Sequence, residues 1–120
     1  MPHKTKVLSA FRPIAYGDLR QLVGLVEGEG SLIWQKARTK AKAAPMLQIT
    51  MTDRDVVQWA ANLLNVGITA HSARSPRHKP YFSVRAWGWR AMSWMVYMFP
   101  YLGARRRAKV EQLLTAFEHN

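Results

Sequence analysis

The chain has no cysteine, which excludes a disulfide framework and any thiolate-ligated metal site. It is poor in acid. Seven Asp and Glu stand against eighteen Lys and Arg, a formal net charge of +11. Long apolar runs are missing too. The longest apolar-rich stretch, Ala91 to Tyr101, is too short to span a bilayer, which takes about 20 residues. The opening residues Met1-Pro2-His3-Lys4 lack the apolar core of a secretory signal. The expectation is an intracellular protein of cytoplasm, nucleoid or organelle matrix, neither secreted nor membrane-bound. The four histidines show no metal-ligand spacing.

What is present is a chain of 120 residues, 48% of them apolar. That suffices for one domain with a modest core and is too apolar for general disorder. The natural partner of so basic a small domain is a polyanion. Nucleic acid fits better than anionic lipid, because no long basic amphipathic helix with a strongly apolar face stands out.

Periodicity orders the chain. Residues 1–17 read as an N-terminal arm, punctuated by Pro13 and Gly17, and residues 18–120 as a single domain. Asp18 is the expected N-cap of a first helix to about Gly28, with Leu19, Leu22, Val23 and Val26 as its core stripe. Alternation predicts a strand over Ser31–Arg38, with Leu32 and Trp34 inward and Ser31, Ile33, Gln35 and Ala37 outward. A second strand covers Met46–Thr52, with Met46, Gln48 and Thr50 outward. Thr52 or Asp53 caps a second helix to about Leu64, ended by Asn65 and Gly67. A third strand spans Ile68–Ala73, with Ala70 and Ser72 as outward candidates. A charged hairpin loop leads to a fourth strand, Tyr81–Trp87, with Tyr81, Ser83 and Arg85 outward. Helices follow over Trp89–Phe99 and from Ala104 to the end, separated by Pro100 and Gly103. The pattern is α+β: an antiparallel four-stranded sheet with helices on one face and a polar, basic face opposite.

The most informative stretch is Leu22-Val23-Gly24-Leu25-Val26-Glu27-Gly28-Glu29-Gly30. It puts two acids in the last turn of a helix, where partial negative charge favours bases instead. A divalent cation would reverse that argument, since carboxylates and free helix-end carbonyls would both be ligands. Gly24 and Gly28 lie on one helical face. Each costs about 1 kcal/mol of helix stability against alanine, and together they let another backbone approach closely. Gly30 sits where a helix stop wants positive φ.

These nine residues resemble the signature of the LAGLIDADG homing endonucleases. Leu22, Gly24, Leu25 and Gly30 match it; Val23, Val26, Glu27, Gly28 and Glu29 are conservative departures. The resemblance extends to Gln48-Ile49-Thr50-Met51-Thr52-Asp53, His78-Lys79-Pro80-Tyr81 and Pro100-Tyr101-Leu102. It implies the αββαββα fold with a saddle-shaped sheet over nearly the whole chain. With one signature per chain, it implies a homodimer joined through the face of Leu22, Gly24, Leu25 and Gly28.

The resemblance further implies site-specific hydrolysis of double-stranded DNA, leaving 3′ overhangs, with magnesium or manganese at the dimer interface and no small-molecule substrate. Glu29 corresponds to the metal-ligating acid, with the Gly28 carbonyl as a second ligand. Glu27 corresponds to the first acid, a supporting or catalytic group. Arg105, with Arg107 close behind, corresponds to the basic residue facing the scissile phosphate. Met51 stands where a water-ordering glutamine often lies, which leaves a non-cleaving binder or splicing maturase as the alternative. The DNA-facing candidates are Ser31, Ile33, Gln35, Ala37, Met46, Gln48, Ser83 and Arg85 on the strands, with Lys42, Arg74, Arg77, Lys79 and Arg107 for phosphates. Gln48 is a candidate reader of adenine and Arg85 of guanine.

Overall fold

The computed structural model describes residues 14–37, 42–73 and 75–119. Its elements run α1 (Tyr16–Glu29), β1 (Gly30–Gln35), β2 (Ala44–Met51), α2 (Arg54–Leu64), β3 (Ile68–His71), β4 (Tyr81–Trp87), α3 (Gly88–Met98), a 3-10 turn (Phe99–Tyr101) and α4 (Ala104–Glu118). The strands form one sheet in the order β1-β2-β4-β3, every pair antiparallel. The α+β expectation is met.

Register explains where the core sits. Leu32 pairs with Leu47 and Leu47 with Ala86, while Ile49 pairs with Val84 and Val84 with Ile68. Paired residues share a sheet face, so these rows form the inner face. They join one buried cluster with Leu19, Leu22 and Val26 of α1, Val57 and Leu64 of α2, Met92 and Met95 of α3, and Val110 and Leu113 of α4. Each fully buried Leu, Ile, Val or Met among them contributes about 1.5–3 kcal/mol by leaving water. All four helices therefore cover the inner face, and the outer face is left to polar side chains and a short apolar row.

Local chemistry sets the boundaries. Asp53 caps α2: its Oδ1 accepts from the backbone N–H of Asp55 at 3.1 Å and of Val56 at 3.3 Å. Asn65 ends it in the left-handed region, at φ 58°. The first helix begins earlier than the expected Asp18. Its N-cap is Ala15, without a side-chain cap. Ile14 packs against the core, and Tyr97 Oη donates to the Ile14 carbonyl at 3.4 Å. The folded unit thus takes in residues assigned to the arm, and Asp18 serves the first turn, where an acid complements the helix dipole.

Gly30 also differs from expectation. Its φ is −89° and ψ 157°, so it is extended rather than left-handed. The glycine is needed for close approach: an added Cβ would lie 2.7 Å from the Val26 carbonyl oxygen. That approach lets β1 leave the helix without an intervening loop. Helix α3 is buried on nearly every side, at Ala91, Met92, Ser93, Trp94, Met95 and Met98. It packs on β2, β4 and α4 at once. The buried Ser93 hydroxyl donates to the Trp89 carbonyl at 2.7 Å.

Candidate nucleic-acid interface

The two acids at the end of α1 have different surroundings. Glu27 forms an ion pair with Arg106, Oε1 to Nε at 2.8 Å. Its Oε2 accepts the Gly103 backbone N–H at 2.8 Å, and its carbonyl accepts from Arg106 Nη2 at 3.2 Å. Gly103 must be glycine for this: a Cβ there would meet Glu27 Oε2 at 2.8 Å. Glu27 thereby binds α1 to the turn that starts α4. Glu29, the last residue of α1, is exposed, and its side chain makes no hydrogen bond or ion pair with the described residues. No group of three or more His, Asp or Glu among the described residues could hold a metal ion. One chain therefore offers a cation the Glu29 carboxylate and helix-end carbonyls such as that of Gly28, and the rest of a coordination shell has to come from elsewhere.

Arg105 lies beside this helix end. It lines a cleft of about 490 Å³ with Gly30, Ser31 and Ile33 of the chain leaving α1, and with Arg106 and Lys109 of α4. Arg107 is exposed and does not line it. Met51 closes β2 on the inner face, opposite Phe82, half-buried against the core.

The outer face presents the expected residues in register. Ser31, Gln48 and Arg85 form one row across β1, β2 and β4; Ile33, Met46 and Trp87 form the next; Gln35 pairs with Ala44. Two candidates are covered, contrary to expectation. Met46 is 4% exposed, lying between Ile33 and Trp87, and the exposed member of that row is Trp87. Ser83 is 2% exposed, its hydroxyl 3.0 Å from Thr50 Oγ1 and 3.1 Å from His71 Nε2. On β3 the expected outward Ala70 instead pairs with Phe82 on the inner side, and Ser72 lies beyond the strand. The cause is alternation from Ile68, which faces the core. Thr69 and His71 hold the outer positions, and His71 stacks on Tyr81 with ring centroids 4.4 Å apart.

Ala37, Lys42, Arg77 and Lys79 are exposed at the strand ends and turns; Arg74 lies outside the described residues. Tyr81 lies on the outer face as expected, while His71 and Lys109 were missed as surface candidates. Alternation along β4, which placed Tyr81, also puts Trp87 outward, whereas His71 depended on the parity of a four-residue strand.

The glycine face of α1 is open. A Cβ on Gly24 or Gly28 would meet nothing within 4 Å. Leu25 is half-buried beside it. Leu22, expected at the dimer interface, is fully buried in its own core, because it belongs to the stripe that packs on the sheet. Tyr16 and Tyr101, 59% and 40% exposed, meet edge-to-face at 5.9 Å near the other end of the helix.

No family model and no curated protein matches the chain in sequence. Solved structures match its fold. The homing endonuclease I-CvuI in complex with its target superposes with a TM-score of 0.62 at 18% identity, over 84% of this chain and 66% of that one. The archaeal intron-encoded homing endonuclease I-Vdi141I complexed with DNA gives 0.56 at 17% identity, over 78% and 63%. The LAGLIDADG homing endonuclease I-GzeII in complex with its DNA target gives 0.58 at 16% identity, over 83% and 35%. The chain spans no more than 66% of the length of any of the three. Its fold is that of the LAGLIDADG homing endonucleases.

Proposed function

We propose that this chain is a site-specific DNA endonuclease that acts as a homodimer, with one Glu29 from each copy at the reacting phosphates. The observation that carries this reading is the contrast at the end of α1. Glu27 is fully engaged by Arg106 and Gly103, whereas Glu29, two residues on, is exposed and unpaired among the described residues. A carboxylate held at the negative end of a helix dipole without a compensating base is an electrostatic cost. Beside a cation it becomes an asset.

The donor set supports a hard cation in a pair of chains. Two Glu29 carboxylates, helix-end carbonyls and DNA phosphate oxygens are oxygen ligands of the kind magnesium or manganese takes. Such a cation supplies activation of water and stabilisation of the leaving 3′ oxygen. I-CvuI has been studied bound to DNA with 2 mM calcium and with 2 mM magnesium, which is consistent with that class of ion. The protein's own part is to bind, align and neutralise. Arg105 is a fixed cation that clamps a phosphate but cannot act as a base. The open Gly24–Gly28 face lets the two α1 helices approach, which brings their C-terminal acids together.

The outer sheet face, with Gln48 and Arg85 near its centre and Lys42, Arg77 and Lys79 at its ends, suits a major groove bordered by phosphates. The other face of the sheet is closed by the helices. Incubation with a randomised duplex library and magnesium tests the proposal: linear products sharing one pseudo-palindromic sequence are expected. Tight, selective binding without products would instead identify a non-cleaving binder on the same fold.

A further inference from the structure

Arg85 of β4 and Gln48 of β2 stand directly opposite each other on the outer sheet face. Arg85 Nε donates to Gln48 Oε1 at 2.7 Å. Gln48 Nε2 donates to Thr50 Oγ1 at 3.2 Å. Thr50 Oγ1 lies 3.0 Å from Ser83 Oγ, which lies 3.1 Å from His71 Nε2. These four contacts make one continuous row across three strands.

The first two bonds have a fixed direction. A guanidinium can only donate. It therefore turns the amide oxygen of Gln48 toward β4 and leaves the amide nitrogen for Thr50. Beyond Thr50 the row continues through two hydroxyls and an imidazole nitrogen, each able to donate or accept. Gln48 itself is held from both sides, its oxygen by Arg85 and its amide nitrogen by Thr50.

That arrangement bears on base recognition. Reading adenine takes both polar atoms of a glutamine side chain together. Gln48 could offer them only by giving up two bonds, one of them charge-assisted. Arg85 faces no such conflict. The bond to Gln48 uses Nε and fixes the plane of the guanidinium, while its two terminal amino groups remain a fork that matches O6 and N7 of guanine.

We propose that Arg85 reads one guanine in each half-site and that Gln48 is a positioning residue, holding the guanidinium by Nε rather than contacting adenine. The proposal rests on the reading of the outer face as a major-groove surface. Parallel selections from a randomised duplex pool, in chelator so that binding alone is scored, test it with the wild type, Gln48→Leu, Gln48→Glu and Arg85→Ala. The wild type should select a guanine that Arg85→Ala no longer selects. Gln48→Leu should lower preference for that same guanine on the order of tenfold, far more than it lowers affinity for random sequence. Gln48→Glu keeps the acceptor and should retain the guanine, which also guards against a mere folding defect in the leucine variant.

If Gln48→Leu instead loses an adenine while the guanine persists, Gln48 is itself a reader and the proposal fails. If Gln48→Leu and Arg85→Ala weaken all sequences alike, Arg85 is a phosphate contact and the proposal also fails. A wild type with no sequence preference overturns the major-groove reading itself, and this inference with it.

Discussion

Glu27 at the end of α1 and Arg106 in the first turn of α4 form a 2.8 Å ion pair across 79 residues of chain. Each stands at the wrong end of its own helix, an acid at a C-terminus and a base at an N-terminus. Together they cancel. The pair holds α4 against the end of α1, and it puts the neighbouring Arg105 in the same cleft as Gly30 and Ser31. At these two helix ends Glu29, Arg105 and Arg107 remain exposed, and Glu29 and Arg105 are the two proposed for the reaction.

The tether can be tested by stability. Arg106 is 14% and Glu27 36% exposed, so solvent screens the pair in part. Glu27→Gln should cost about 1–2 kcal/mol, since it weakens a charge-assisted contact to Arg106 while leaving an acceptor for Gly103. Urea denaturation of the two proteins measures the difference. An unchanged midpoint would mean that the 3-10 turn holds α4 without help.

Two glycine substitutions should differ in severity. Gly30→Ala drives a Cβ against the backbone of Val26, which cannot yield, and should cost about 1–3 kcal/mol or more. Gly103→Ala meets the far end of the Glu27 side chain, which can swing aside at the cost of one hydrogen bond, about 1 kcal/mol. Thermal melts of both variants should rank them in that order.

Gly24 separates folding from association. Its surroundings in one chain are open, so Gly24→Ala should leave the monomer fold intact or stabilise it, by up to about 1 kcal/mol from helix propensity. Gly24→Leu should prevent two α1 helices from meeting. Sedimentation equilibrium should find a dimer for wild type and a monomer for Gly24→Leu. A wild type that stays monomeric on DNA would contradict the paired-site arrangement.

DNA affinity should fall steeply with salt, by on the order of 10³–10⁵ between 50 and 200 mM if a dimer neutralises six to ten phosphates. A selected site should resist salt better than random duplex, because base-edge contacts add to the phosphate contribution. Fluorescence anisotropy over a salt series gives both slopes. A flat dependence would deny the loop lysines and arginines their assigned part.

Much of this fold was legible in the sequence because long elements repeat their signal. The stripe Leu19, Leu22, Val23 and Val26 and the alternation of Tyr81–Trp87 are each repeated enough to fix a face. β3 has four residues, too few to fix its parity, and His71 was lost with it. Leu22 was assigned both to that core stripe and to the dimer face, and it serves only the core. The Glu27–Arg106 pair and the Arg85–Gln48–Thr50–Ser83–His71 row depend on tertiary proximity and register between strands, which no single segment encodes. Glu29 was the reverse case: its departure from helix-dipole preference at the end of α1 was visible in the sequence alone.

The most direct test of the account compares the wild type with Glu29→Gln on a selected duplex in magnesium, scoring binding and strand cleavage in the same samples. Glu29 is exposed at the helix end, so the variant should fold and bind as the wild type does, or slightly tighter, since a carboxylate near phosphates repels them. The wild type should cut both strands, and Glu29→Gln should cut neither. Cleavage that survives in Glu29→Gln, or in the wild type under chelator, would contradict the assignment of Glu29 as the metal-holding acid.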